Sequence, residues 1–242
     1  MKKIFKIHIL SYLIALIAVL TGHFRLYLNF MLLIIIHELG HIIAGIIFKW
    51  RLKEIVILPL GMISKFHTLI NVSMLEELIV ASSGIILQIT FYYFFLRNNE
   101  YYDICNLIII IFNLLPILPL DGSKILNNIL NRLFSFKLSY TITIYVSFVL
   151  CFIIIILGIL NKDLILIIIF VLLLTGLIKE YKKIPSIINK FYLERYLYNF
   201  KYIKTIEIKD LSQMKREYNH TFKLNNKIYK EKELLKNLFD KH

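Results

Sequence analysis

Two histidines and a glutamate lie inside a strongly apolar stretch of the chain, MLLIIIHELGHIIAGIIF at residues 31–48. His37 and His41 are four residues apart, so on a helix they lie on one face, one turn apart. Two imidazoles at this spacing can bind one zinc ion, with Glu38 beside them as a general base. The alternative is a chance HExxH whose histidines bond to backbone carbonyls. Three ionisable groups in an apolar helix are costly, which favours a shared partner.

The composition defines the class of protein. The chain has 242 residues, of which 58% are hydrophobic, and a mean hydropathy of +0.70, which is typical of a polytopic membrane protein. Much of the net charge of +13 lies in the last quarter of the chain, so we expect no nucleic acid among the partners. Cys105 and Cys151 fall in apolar segments, where no disulfide system is implied.

Six apolar segments each approach the roughly 20 residues that a helix needs to cross a bilayer. They lie at residues 6–21, 29–48, 77–96, 103–119, 140–160 and 163–179. Basic residues are concentrated in alternate loops and in the tail, and such residues mark the cytoplasmic face. We therefore predict a multi-pass protein of the cell membrane with both termini in the cytoplasm.

A catalytic zinc takes three protein ligands and keeps one position open, so two histidines form an incomplete site. The best candidate for the third ligand lies in NLLPILPLDG at residues 113–122. Pro116 and Pro119 break the helix, and Asp121 follows at the inner end of the fourth span. The alternative is a helix that ends with a solvated aspartate cap. The remaining histidines lie at span ends, in loops, in the tail or on the opposite side: His8, His23, His67, His220 and His242.

HELGH in one span and NLLPILPLDG in a later one resemble the two signature motifs of the site-2 protease family, which are intramembrane zinc metalloproteases. The resemblance covers about residues 1–180, and the compact chain without an inserted PDZ domain is most similar to the sporulation branch. It implies one zinc per chain held by His37, His41 and Asp121, with Glu38 as the catalytic acid and base. Asn113, Pro119 and Gly61 would then bind the substrate.

Two departures from the family pattern concern substrate positioning. The chain has Ser83-Gly84-Ile85 where the family usually has Gly-Pro, with Gln88 where asparagine is common. It also has Gly61-Met62 where the family often has Gly-Gly. Neither departure removes an implied zinc ligand.

The resemblance implies proteolysis of a membrane-associated protein precursor in or near the cytoplasmic half of the bilayer. The sporulation branch implies a sigma-factor pro-protein as substrate, and another regulatory substrate such as an anti-sigma factor is the alternative. It also implies inhibitory membrane-protein partners, and a homo-oligomer is a further possibility. Two other functional classes remain as alternatives to a site-2 protease: a zinc protease of the prenyl-protein type, and a non-proteolytic metal transporter or scaffold.

We predict an all-α polytopic membrane protein of about six transmembrane helices, with a short re-entrant loop or β-hairpin at residues 54–66 and a small α+β cytoplasmic tail. The transmembrane zinc protease domain would cover residues 1–180. The tail, residues 181–242, has helical patterns at 186–200 and 231–239, strand patterns at 202–208 and 220–224, and a turn at Asn225-Asn226. This order is similar to one CBS repeat, and a basic tail on anionic lipid is the alternative.

Overall fold

The computed structural model describes residues 5–7, 9–58, 61–97, 99–224 and 227–240. Its helices are α1 (Ile9–Leu20), α2 (Phe24–Ile47), α3 (Met74–Phe91), α4 (Glu100–Leu114), α5 (Asp121–Leu133), α6 (Phe136–Leu160), α7 (Leu164–Leu197) and α8 (Glu231–Phe239), with a π-helical turn at Tyr92–Leu96. Its strands are β1 (Phe5–Ile7), β2 (Arg51–Leu58), β3 (Gly61–His67), β4 (Lys204–Ile208), β5 (Tyr218–Leu224) and β6 (Lys227–Lys230).

The chain packs as two compact units, and the first comprises Met1–Thr68 and Glu76–Leu114. In this unit α2 packs on α4 through a buried cluster made of Leu33 and Ile34 on one helix and Cys105 and Ile109 on the other. Both cysteines of the chain are free and buried, as their apolar surroundings in the sequence predict.

A three-stranded sheet stands beside these helices in the first unit. β2 and β3 form an antiparallel hairpin, which confirms the predicted β-hairpin, although Pro59 and Leu60 of its predicted turn lie outside the described residues. β1 adds to β2 in parallel. The first predicted span was therefore wrong at its start, because Phe5–Ile7 is a strand and α1 begins only at Ile9.

Ion pairs connect the three strands of this sheet. Glu54 on β2 lies between Lys6 on β1 and Lys65 on β3, at 2.5 Å and 2.8 Å. The hydrogen bonds from these two lysines lower the pKa of Glu54 to about 2. Lys6 lies at the start of the first predicted span, but in the structure it belongs to β1 and forms an ion pair with Glu54 of the neighbouring strand.

Among the described residues, four helices are long and apolar enough to cross a membrane: Phe24–Ile47, Met74–Leu96, Phe136–Leu160 and Leu164–Leu197. Two shorter apolar helical segments, Ser11–Leu20 and Tyr102–Leu114, correspond to the first and fourth predicted spans. The mostly helical architecture is confirmed, and the number of six spans stays a prediction.

The helix α7 is longer than the sequence pattern predicts. The predicted span at 163–179 and the predicted tail helix at 186–200 form one helix of 34 residues with Pro185 inside it. The sequence turns polar near Lys179, but lysine, glutamate and leucine are good helix formers. The change in polarity therefore does not end the helix, and the division proposed at residue 180 falls within α7.

The second unit comprises Leu69–Leu75 and Leu115–His242. Its core contains Phe136 at the start of α6, stacked on Phe191 of α7 at 4.2 Å between ring centroids. Met214, Phe222 and Leu235 from the tail complete this core. The start of α6, the end of α7 and the tail thus share one hydrophobic core.

The tail has the predicted helix α8 and the two predicted strands, with bounds shifted by two residues at one end of each strand. β4 pairs with β5 in parallel, and β5 pairs with β6 in antiparallel. The sequence analysis missed β6, because its four residues carry no clear apolar alternation; the predicted turn at Asn225-Asn226 lies outside the described residues.

Candidate metal centre

The HELGH motif lies in the second half of α2, and His37, Gly40 and His41 are among the buried residues of this helix. His37 and His41 are 3% and 6% exposed, and their Nε2 atoms face each other at 3.1 Å. The ligand atoms of His37, Glu38 and His41 all lie within 4.8 Å of one another. The helical spacing therefore gathers the three groups as the sequence predicts.

The hydrogen bonds of the two imidazoles indicate a cation between them. Nδ1 of His41 lies 2.7 Å from the backbone carbonyl of Val80, and Nδ1 of His37 lies 2.9 Å from Oε1 of Gln88. Both partners accept hydrogen bonds, so both Nδ1 atoms carry the proton, and in the neutral rings both Nε2 atoms carry a lone pair. Two lone pairs that face each other repel unless a cation holds them.

The distance between the two Nε2 atoms fits zinc. Two nitrogens at ~2.05 Å from an ion in tetrahedral geometry are about 3.3 Å apart, close to the 3.1 Å observed here. A second partner on the other ring nitrogen is typical of histidines that bind metals, because it fixes the tautomer and the ring plane.

Two glycines let α2 and α3 approach closely at this point. A side chain at Gly84 on α3 would collide with the imidazole nitrogens of His37 and His41. A side chain at Gly40 on α2 would collide with the backbone of Ser83 and Gly84. Small residues permit such close contact between helices, and here they make room for the two imidazoles.

The hairpin supplies the partner of the general base. Oε2 of Glu38 accepts hydrogen bonds from the hydroxyl and the backbone N–H of Ser64 on β3, at 2.8 Å and 3.1 Å. A side chain at Gly45 would meet the ring of Phe66 at 2.6 Å, so this strand packs directly against α2. The sheet thereby orients a carboxylate next to the two histidines.

Asp121, the predicted third ligand, is the first residue of α5 in the second unit. It is buried, and its carboxylate pairs with Lys124 at 2.6 Å. A carboxylate in the first turn of a helix is stabilised by the helix dipole. The predicted break before it is confirmed, since α4 ends at Leu114 and α5 begins at Asp121. Its role as a zinc ligand stays a prediction.

Neighbouring helices of the second unit hold this break. The Ser147 hydroxyl on α6 accepts a hydrogen bond from the Leu118 backbone N–H at 3.1 Å and lies 3.3 Å from the Pro116 carbonyl. Pro119 packs against Gly176 on α7, where an added Cβ would meet the proline ring at 3.2 Å. The segment before Asp121 is therefore anchored on both sides.

The three predicted substrate-binding residues lie on different elements. Gly61 begins β3, and a side chain there would meet open space. Asn113 lies near the end of α4, half-buried, with its amide bonded to the Ile109 carbonyl at 3.0 Å. Pro119 lies in the break before α5. Their contact with a substrate stays a prediction.

The sequence analysis missed the residues that orient the predicted catalytic groups. Gln88 was noted only as a departure from the family pattern, yet it bonds to His37. Ser64 and Val80 carry no sequence signal, because a serine in a strand and a backbone carbonyl are common everywhere. A polar residue such as Gln88 inside an apolar helix was the one available signal.

Comparison with known proteins agrees with this geometry. The profile of Peptidase family M50 matches residues 99–157. Stage IV sporulation protein FB of Bacillus subtilis is 31% identical over an alignment that covers 93% of this chain and 80% of that protein. The chain belongs to peptidase family M50, the site-2 proteases, and is a membrane metalloendopeptidase of that type. The prenyl-protein protease and the transporter are therefore disfavoured.

Two matches from one further organism extend the comparison. A protein named as a zinc metalloprotease from Methanocaldococcus jannaschii is 26% identical over 56% of this chain and 43% of its own length. The solved structure of a site-2 protease from the same organism superposes with a TM-score of 0.57 and 23% identity, covering 73% of this chain and 89% of that one. The fold is therefore that of the site-2 proteases.

Proposed function

We propose that the protein is a zinc-dependent endopeptidase that cuts a membrane-associated protein precursor in or near the cytoplasmic half of the bilayer. The observation that supports this most directly is the pair of buried imidazoles whose Nε2 atoms face each other at 3.1 Å, with a carboxylate beside them. We assign His37, His41 and Asp121 as ligands of one zinc ion and Glu38 as the general acid and base.

The chemistry assigned to each group follows from its type. When bound, zinc supplies Lewis acidity that polarises the scissile carbonyl and makes water a nucleophile near neutral pH. Glu38 accepts a proton as water attacks the carbonyl carbon, and it returns this proton to the amine nitrogen as the C–N bond breaks. Ser64 holds the carboxylate in place for both transfers through two hydrogen bonds.

The substrate must present an extended segment, because a helix hides its peptide groups in hydrogen bonds. The hairpin of β2 and β3 carries Ser64 and begins its second strand at Gly61. An extended segment can add to such a strand by main-chain hydrogen bonds. We propose that this hairpin, together with Asn113 and Pro119, receives the substrate.

The relative from Bacillus subtilis is named as a sporulation protein, and this supports a role in sporulation for the present chain. We propose a sigma-factor pro-protein as substrate, inhibitory membrane proteins as partners, and a multi-pass position in the cell membrane with both termini in the cytoplasm. A different membrane-tethered regulator, such as an anti-sigma factor, is the alternative substrate.

Co-expression with candidate membrane-tethered precursors tests the proposal. The wild-type protein should cut a sigma-factor pro-protein, and Glu38→Gln should reduce cutting by at least ~10²-fold, the lower end of a general base's contribution. The variant should retain zinc, since the three proposed ligands, His37, His41 and Asp121, are unchanged. Equal cleavage by both proteins would contradict the role of Glu38, and cleavage of an anti-sigma factor alone would favour the alternative substrate.

A further inference from the structure

Gln88 lies completely buried on α3, in a helix whose other buried residues are mostly apolar. One end of its amide lies 2.9 Å from Nδ1 of His37 on α2. The other end donates a hydrogen bond to Oδ1 of Asn106 on α4, also at 2.9 Å. A buried amide costs free energy unless its polar atoms are bonded, and here both ends have partners on different helices.

Asn106 determines which end of the Gln88 amide faces the histidine. The Gln88 amide nitrogen also lies 3.4 Å from the backbone carbonyl of Asn106, a group that can only accept. The end of Gln88 near Asn106 must therefore be the NH2 group, which leaves the oxygen Oε1 to face His37. An oxygen there requires the proton of His37 on Nδ1, so that Nε2 carries the lone pair.

We propose that Gln88 and Asn106 are positioning residues of the metal centre. Asn106 orients the Gln88 amide, and Gln88 sets the tautomer and the ring plane of His37, which presents Nε2 for coordination. This inference rests on the proposed zinc site. The Val80 carbonyl accepts a hydrogen bond from Nδ1 of His41 in the same way. Because this carbonyl belongs to the backbone, no side-chain substitution removes it. Mutation can therefore test only the hydrogen bonds that link His37, Gln88 and Asn106.

The test compares zinc affinity of the purified full-length variants in detergent, measured by competition with a chelator. Gln88→Met keeps the length and the apolar part of the side chain but removes both polar atoms. We expect zinc affinity to fall by about 10- to 100-fold, the usual effect of losing such a supporting partner. Gln88→Glu keeps an acceptor oxygen toward His37 but loses the N–H group that Asn106 accepts, so it should bind zinc more tightly than Gln88→Met.

A second pair of variants tests the hydrogen bond between Gln88 and Asn106. Asn106→Leu removes the acceptor of the Gln88 amide, whereas Asn106→Asp keeps an acceptor oxygen of the same size. Zinc should bind more weakly to the first than to the second. Thr90→Val is the matched control on α3, because Thr90 is exposed and, among the residues that the structure describes, its side chain bonds only to the Ile86 carbonyl of its own helix.

Co2+ replaces zinc as a spectroscopic probe of the ligand geometry. Gln88→Met should alter the visible absorption of bound Co2+, and Thr90→Val should leave it unchanged. A purely structural role of Gln88 would lower the yield of folded protein without changing the spectrum of the folded fraction.

Wild-type zinc affinity and an unchanged spectrum in folded Gln88→Met would overturn the inference. Equal weakening in Gln88→Met and Gln88→Glu would also overturn it. A wild-type protein that binds no zinc would instead contradict the proposed function.

Discussion

The carboxylate of Glu38 is bound by Ser64 through two hydrogen bonds that end on the same oxygen, Oε2. Within the described part of the chain Oε1 accepts no hydrogen bond, so it is the oxygen available for proton transfer. Glu38 lies on a helix and Ser64 on the edge of a hairpin. The sheet next to the helices therefore has a part in the proposed chemistry as well as in the proposed docking of the substrate.

Ser64→Ala should lower the turnover number by about tenfold or more, because a hydrogen bond to a charged group contributes ~1.5–3 kcal/mol and ~1.4 kcal/mol corresponds to a factor of ten in rate. The backbone N–H of residue 64 remains, so the loss should be smaller than for Glu38→Gln. Zinc content should not change. Cleavage rate and zinc content are measured on the same preparation.

Ser64→Thr provides the control for this prediction. It keeps the hydroxyl and is favoured in strands, so its activity should stay close to that of the wild type. If Ser64→Ala cleaves at the wild-type rate, the two hydrogen bonds do not orient the base during catalysis.

Asp121→Ala should remove bound zinc, because two histidines alone hold a catalytic zinc poorly. The measurement is the zinc content of purified protein after dialysis against a weak chelator. Retention of one zinc per chain would show that Asp121 is not a ligand and that Glu38, the third member of the observed group, has to be considered instead.

Asp163→Ala is the matched control for the effect of changing an aspartate at the start of a helix to alanine. Asp163 caps α7 by accepting a hydrogen bond from the Ile165 N–H at 2.8 Å. Its replacement should cost some stability and leave the zinc content unchanged.

The sequence was sufficient to predict that His37, Glu38 and His41 lie close together, and the reason is local. The four-residue spacing of His37 and His41 requires only a helix to become a pair of facing nitrogens. The partners of these groups were not predictable, because they come from distant segments: Ser64 lies 26 residues after Glu38, and Gln88 lies 51 residues after His37. Such contacts depend on how α2, α3 and the hairpin pack.

The ends of helices were predictable from the sequence where residues such as proline break the helix. They were less predictable where the residues change from apolar to polar within one helix. The break before Asp121 was clear from two prolines. The continuation of α7 past Lys179 was not, because leaving the membrane changes the residue types without ending the helix. The strand at Phe5–Ile7 was hidden, since only His8 separates its apolar residues from those of α1 in the sequence.

The second unit makes a prediction about topology. The Phe136 backbone N–H bonds to the Met214 carbonyl at 2.9 Å, so the tail lies at the N-terminal end of α6. The turn at Asn161 lies at the other end of this helix, about 37 Å away for 25 residues. A cysteine at Asn161 should therefore react with an impermeant maleimide from outside the cell, whereas one at Lys209 should be protected.

The labelling requires a background without native thiols, in which Cys105 and Cys151 are replaced by alanine. Permeabilised cells should give labelling at both new positions, which serves as the control for accessibility. Labelling of the Lys209 position in intact cells would place the tail outside and refute the proposed orientation.

A buried histidine in the tail offers a test of pH dependence. Nε2 of His220 accepts the Lys215 backbone N–H at 3.0 Å, and Nδ1 lies 2.9 Å from Glu231. Arg195 binds the same glutamate at 3.1 Å. Burial lowers the pKa of His220 below its ordinary 6.5, although the hydrogen bond with Glu231 opposes this. Burial raises the pKa of Glu231, but the bonds to His220 and Arg195 outweigh it and lower the pKa below 4.5.

The sign of the effect follows from these directions. Unfolded protein binds the His220 proton more readily than folded protein. The contribution of His220 to the stability of the tail is therefore fully present above pH 6.5 and decreases as the pH falls below that value. The stabilising effect of the lowered pKa of Glu231 is lost only below pH 4.5. Between pH 6.5 and pH 4.5, therefore, the titration of His220 should change the stability of the tail more than the titration of Glu231 does.

His220→Gln should abolish the contribution of residue 220 to the pH dependence, because a glutamine can donate to Glu231 and accept from the Lys215 N–H but cannot take up a proton in this range. We expect the thermal midpoint of the wild type to fall relative to that of the variant between about pH 7.5 and about pH 5.5. Measuring both proteins in the same buffers and detergent removes effects that they share. An equal shift in the two midpoints would mean that His220 does not control the acid stability of the tail.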